Sequence, residues 1–150
     1  MSLKAKLQSD LTESIRSKDE LRSSTIRMVL TAITNEEVAG KEARTLSDAE
    51  VITVLTRESK KRREAAEAFT AGGALDRAER EKKEGKVIAE YLPAQLSNEE
   101  LASLIKEAID STGASGPSGM GIVMKHLQPK IAGRADGATV SAAVKTALGN

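Results

Sequence analysis

A single histidine, His126, and no cysteine are all that this 150-residue chain offers to metal or thiol chemistry. One imidazole cannot make the clustered ligand set of a zinc site, and it leaves little material for a serine triad; a lone histidine on a short helix is ordinarily a surface or packed residue. The carboxylates fall into helical register with cations: Asp76 with Arg80, Glu79 with Lys83, Arg80 with Glu84, Glu58 with Arg62 and Arg63 with Glu67 are each four residues apart. Such pairs support a helix by about 0.2–0.5 kcal/mol each and leave no isolated acidic pair for general acid–base work. No phosphate-cradling Gly-x-x-x-x-Gly-Lys segment occurs, and Gly116, Gly119 and Gly121 do not follow a predicted strand, as a dinucleotide-binding turn requires. The expectation is a chain with no catalytic centre of its own, no cofactor and no metal.

What remains is a charge asymmetry. From Gly113 onward, Lys125, Lys130, Arg134 and Lys145 face one acid, Asp136, for a local excess of +3, although the whole chain is only +1. Lys125 and Lys130 belong to a predicted short helix, Arg134 to a connection and Lys145 to the last helix, so they can converge near one end of a bundle. That is polyanion chemistry on a local scale, far from the basic excess of a protein that holds nucleic acid unaided. Phe69 and Tyr91 are the only aromatic residues, which removes the ring platforms on which single-stranded bases stack. The run Lys60-Lys-Arg-Arg63 is read as a solvated helix face, because residues 41–96 carry 12 basic and 11 acidic side chains.

The elements that position these residues are all helices. Leu3, Leu7, Leu11 and Ile15 recur every four residues along a first helix capped by Ser2, and Leu21, Ile26, Val29, Leu30 and Ile33 stripe a second, paired with it as a hairpin. Ser47-Asp-Ala-Glu50 and Ser97-Asn-Glu-Glu100 are capping boxes, which open helices. From Ser47 a helix runs to Gly72-Gly73, roughly 37 Å at 1.5 Å per residue; it is apolar at first (Val51, Ile52, Val54, Leu55) and then charged, with its far end in solvent. The return helix, Leu75 to Tyr91, stops at Leu92-Pro93, because proline disfavours helix in the residue before it. This boundary divides the chain into 1–93, a helical domain with a long charged hairpin, and 94–150, a three-helix domain.

In the second domain, Leu101, Leu104, Ile105, Ala108 and Ile109 face inward up to Gly113. Pro117 opens a short helix whose stripe is Met120, Val123, Met124, Leu127 and Ile131, and Pro129 loosens its last turn. Gly119 and Gly121 cost about 1 kcal/mol each there relative to alanine, so close approach of a neighbouring helix, or else of a ligand backbone, is expected at both. Gly133 supplies the positive φ that ends the helix, Asp136 caps the last helix, Gly137 completes the turn, and Val140, Val144, Ala147 and Leu148 point inward.

Ile26-Arg-Met-Val-Leu-Thr-Ala-Ile33, Tyr91-Leu-Pro-Ala-Gln-Leu-Ser97, Met120-Gly-x-Val-Met-Lys125 and Gly133-Arg-Ala-Asp-Gly137 with Val140, Val144 and Leu148 form an ordered series through nearly the whole chain. By this series the sequence resembles the GatB/YqeY family, its free-standing YqeY branch in particular. The resemblance implies an all-α fold, an N-terminal helical portion followed by a three-helix tail, similar to the C-terminal regions of the B subunit of the glutamine-dependent tRNA amidotransferase. It implies a tRNA-contacting accessory module and a link to carbon–nitrogen ligation with glutamine as amide donor, without the B subunit's catalytic cradle. The carried-over positions are Gly121, Val123, Met124 and Lys125, and Gly133, Arg134 and Ala135; at Asp136-Gly137 the B subunits more often carry Asn-Pro.

Two function classes follow. In the first, Lys125, Lys130, Arg134 and Lys145 contact tRNA phosphates, with a partner protein supplying affinity or catalysis. In the second, the charged hairpin or the glycine-rich tail docks on another polypeptide and RNA has no part. No apolar run approaches the ~20 residues of a membrane span, nor does the start of the chain look like a signal peptide, so no membrane contact and a cytoplasmic location are expected.

Overall fold

A computed structural model describes residues 1–149 and contains only helices among them: α1 (Leu3–Arg16), α2 (Glu20–Glu37), α3 (Asp48–Ala71), α4 (Leu75–Ala89), α5 (Asn98–Thr112), α6 (Met120–Ile131) and α7 (Gly137–Ala147), with a 3₁₀ turn at Pro117–Gly119. The chain divides into two compact units, Met1–Leu92 and Pro93–Asn150. No helix among the described residues is long and apolar enough to cross a membrane.

In the first unit, local signals set the helix ends. Ser2 Oγ accepts from Ala5 N–H at 3.1 Å, and Asp19 Oδ1 accepts from Arg22 N–H at 3.1 Å. At α3 the Ser47 hydroxyl accepts from Glu50 N–H at 3.2 Å while the Glu50 carboxylate accepts from Ser47 N–H at 2.8 Å. These bonds satisfy N–H groups that a helix start otherwise leaves without partners. Leu7, Ile26, Val29, Ile33, Leu46, Val51, Val54, Leu55, Val87, Ile88 and Tyr91 form one core from all four helices. Burying each large aliphatic side chain contributes about 1.5–3 kcal/mol.

Two expectations need correction here. Ile15 is not part of the inward stripe; it is 48% exposed. The last turn of α1 meets α2 through Ser14, whose hydroxyl lies 2.9 Å from that of Ser23, so the inward position there is polar. The charge pairing of the hairpin is also not mainly local. Arg80 does reach Glu84 on its own helix at 3.1 Å, but it also reaches Glu20 of α2 at 3.2 Å, and Arg62 crosses from α3 to Glu81 and Glu84 of α4 at 3.2 and 3.4 Å. Glu58, 6% exposed, pairs with Lys61 rather than with Arg62. Ala66 and Ala78 are buried, and their small side chains let α3 and α4 approach closely enough for these bridges.

In the second unit, Leu101, Ile105, Ala108, Val123, Leu127, Ile131, Val140 and Val144 make a separate core from α5, α6 and α7. Ser97 Oγ accepts from Glu100 N–H at 3.1 Å to open α5, and Gly113 closes it with φ +66°. Pro117 sits in the 3₁₀ turn ahead of α6, not at the first position of that α-helix. α6 continues past Pro129 to Ile131, and Ala132 N–H bonds to Gln128 O at 3.1 Å. Gly133 then takes φ +72°.

Candidate functional site

The turn after α6 is built against the segment that opens the unit. Leu96 N–H donates to Arg134 O at 2.9 Å, Gln95 Nε2 donates to Gly133 O at 2.8 Å, and Arg134 Nε donates to Ala94 O at 2.9 Å. Arg134 Nη1 also reaches Lys130 O at 3.4 Å, and Nη2 lies 3.9 Å from Glu100. Asp136 completes the joint as the cap of α7, accepting from Thr139 N–H at 3.0 Å and from its hydroxyl at 2.9 Å. Two of the sequence motifs, Pro93-Ala-Gln-Leu96 and Gly133-Arg-Ala-Asp136, are therefore one structural unit. Two of the three guanidinium nitrogens of Arg134 donate to backbone carbonyls.

The other three tail cations differ in state. Lys125 on α6 and Lys145 on α7 are exposed, with no carboxylate of the described residues at ion-pair distance. Lys130 bonds to Glu107 of α5 at 2.9 Å. That bond holds the Glu107 carboxyl below its ordinary range, with a smaller contribution from the charge of nearby His126. The Nε2 atom of His126 is itself buried with no hydrogen-bond partner in the protein. In space, then, α5 returns acids to the tail: from Pro93 to Asn150 the five basic residues are matched by five acidic ones, and the net charge is zero.

The glycines also separate. A Cβ on Gly119 would lie 2.9 Å from the Cβ of Ala114, so the 3₁₀ turn approaches the end of α5 as closely as a residue without a side chain permits. Around Gly121 and Gly137 nothing lies within 4 Å of such a Cβ. Close packing explains the first and not the second; Gly137 is the first residue of α7.

Spacing along the chain missed a polar cluster in the first unit. Tyr91 donates its hydroxyl proton to Asp10 Oδ2 at 2.6 Å and accepts from Arg22 Nη2 at 3.0 Å. Lys6 Nζ lies 2.9 Å from Asp10 and 5.1 Å from the ring centre of Tyr91, and Arg22 pairs with Glu90 at 2.6 Å. The Tyr91 bond, then the Lys6 bond, lowers the Asp10 pKa, while burial and the Asp10 bond push the Tyr91 phenol up. The only signal in the sequence was that Tyr91 is the sole tyrosine. This cluster fastens α1, α2 and the end of α4. Open grooves lie elsewhere, among them one of about 710 Å³ between α3 and α4, one of about 610 Å³ between α5 and α7 and a smaller one of about 360 Å³ between α2 and α3. No group of three or more metal-ligating side chains occurs among the described residues.

The sequence model of the family described as "Yqey-like protein" matches residues 4–148. An uncharacterized protein of Schizosaccharomyces pombe is 32% identical over 98 residues, which cover 65% of this chain and 77% of that protein. Altered inheritance of mitochondria protein 41, a mitochondrial protein of Candida glabrata, is 31% identical over 86 residues, 57% of this chain and 47% of that protein.

Proposed function

Because the chain belongs to the YqeY-like family, we propose that it is an accessory module that contacts tRNA through its second unit, acting beside a partner enzyme in glutamine-dependent amidation rather than catalysing a reaction itself. The observation that carries this reading is the pair of exposed, uncommitted ammonium groups of Lys125 and Lys145, Lys125 being a position at which the motif resembles the B subunit's tail. Lys130 joins them at little expense, since an exposed ion pair such as Lys130–Glu107 is worth only about 0–1 kcal/mol. Arg134 is assigned a structural role. Two or three phosphate contacts, in a unit of zero net charge, give weak binding, about 10⁻⁴–10⁻⁶ M at physiological salt, so a partner protein that raises the effective concentration is part of the proposal.

The test is fluorescence anisotropy of the full chain with unfractionated tRNA at about 50 and 200 mM salt, the range over which phosphate contacts weaken steeply. Binding that falls about tenfold or more between these salts, exceeds that to duplex DNA and is lost in Lys125→Ala/Lys145→Ala supports the reading. No binding at the lower salt, or unchanged binding by the variant, overturns it.

A further inference from the structure

We propose that the groove between α3 and α4 docks an acidic amphipathic helix of a partner protein. This surface lies in the first unit and does not depend on RNA contact by the second.

The face is left open by the way α4 is used. At 100° per residue, Arg80, Glu84 and Val87 share one side of α4, where Arg80 bridges to Glu20 and Ser24 of α2, and just past the helix end Tyr91 bonds to Asp10 of α1. Lys82, Gly85, Lys86 and Ala89 fall on the opposite side, and together with Glu81 they are the α4 residues of the groove. From α3 the groove receives Ala66, buried at its floor, and Ala71. Gly85 keeps the floor low: a Cβ there would sit 3.8 Å from the Cβ of Arg62. The result is a trough floored by alanine and glycine carbon. Its α3 wall, Ser59 to Ala71, is about 18 Å long at 1.5 Å per residue, or three helical turns.

Charge selects the occupant. Arg63, Lys82 and Lys86 border the trough with no carboxylate of the described residues at ion-pair distance, and the acids lining it are Glu67 and Glu81. Glu81 is already 3.2 Å from Arg62. The Nε atom of Arg62 is buried in the same wall without a hydrogen-bond acceptor. Lys82 and Lys86, four residues apart, match carboxylates at the same i,i+4 spacing on a facing helix. The alanine floor admits aliphatic side chains from that helix, and no ring is present on which a nucleobase could stack. Phe69 lies outside the trough, with Arg77 5.9 Å from its ring centre.

The experiment titrates the full chain with a fluorescent, end-blocked helical peptide of about four turns. The peptide carries a leucine–alanine stripe flanked by glutamates at i,i+4, and an otherwise identical glutamine peptide and total tRNA serve as the other ligands. The expected result is saturable binding of the glutamate peptide, about tenfold tighter than the glutamine peptide, the size expected when a few charge contacts add to apolar docking. Lys82→Glu/Lys86→Glu should abolish that preference, and a lysine version of the peptide should then bind the variant. Ala89→Arg, at an exposed position on the trough's edge, should block binding while circular dichroism stays unchanged. Equal affinity for the glutamate and glutamine peptides, no binding of either, or full displacement by tRNA that itself binds through Lys82 and Lys86 would overturn the proposal. None of these outcomes bears on the Lys125→Ala/Lys145→Ala test, so the two readings fail separately.

Discussion

Arg134 donates through Nε to the carbonyl oxygen of Ala94, 40 residues earlier, at 2.9 Å. With Leu96 N–H on Arg134 O and Gln95 on Gly133 O, this bond ties the entry of the second unit to the turn between α6 and α7. A side chain that charge counting assigns to a ligand is thus committed to the fold. Arg134→Ala is expected to lower stability by roughly 1 kcal/mol, the net worth of such a hydrogen bond, and to leave the salt slope of tRNA binding nearly unchanged. Arg134→Lys should recover little of the loss, because one ammonium does not reproduce the planar fork. Urea denaturation followed by circular dichroism, with the anisotropy titration beside it, checks both.

Glu107 is the acid that occupies Lys130 at 2.9 Å. Glu107→Ala should release that ammonium and remove a negative charge from the same surface. Binding of tRNA is expected to tighten, and the slope of log K against log salt to steepen by up to about 1, the increment for one further phosphate contact. A flat response would place the RNA surface away from Lys130.

The two glycines of the Pro117–Gly121 segment should respond with opposite signs to alanine. Gly119→Ala forces a Cβ to within 2.9 Å of Ala114, and overpacking of this kind costs about 1–3 kcal/mol. Gly121→Ala meets nothing within 4 Å on α6 and should stabilise by up to about 1 kcal/mol through helix propensity. Denaturant midpoints of the two variants decide the matter.

Tyr91→Phe deletes the hydroxyl that bonds to Asp10 at 2.6 Å and to Arg22 at 3.0 Å. A loss of about 1–2 kcal/mol is expected, since the variant also leaves a partly buried carboxylate with one partner fewer. The pH dependence carries a second signature. The folded-state pKa of Asp10 lies below its ordinary 3.8, so its contribution is present above that value and is lost as pH falls through the lowered one. In Tyr91→Phe the leading cause of the lowering is gone, and the acid limb of stability against pH should become shallower. Thermal melts from about pH 7 down to pH 2 check this.

The helices and their ends follow from the sequence by itself, because the forces involved act over a few residues. Ser47 reaches Glu50 N–H, Asp136 reaches Thr139 N–H, and Gly113 and Gly133 take the positive φ that a Cβ disfavours. The membership of the two cores followed nearly as well from helical periodicity, save at Ile15 and at Ala147, which was expected to point inward from α7 and is exposed. Partners of charged side chains did not. Arg62, four residues from Glu58, bonds across the hairpin to Glu81 and Glu84, because long flexible side chains settle on whichever carboxylate the packing of alanines brings nearest. The +3 counted from Gly113 onward is answered across helices in the same way: α5, earlier in the chain, lays Glu107 beside Lys130 and Glu100 near Arg134. Which cations remain for a ligand, Lys125 and Lys145 on one unit and Arg63, Lys82 and Lys86 on the other, is a property of distances between helices, and only the tertiary structure determines those.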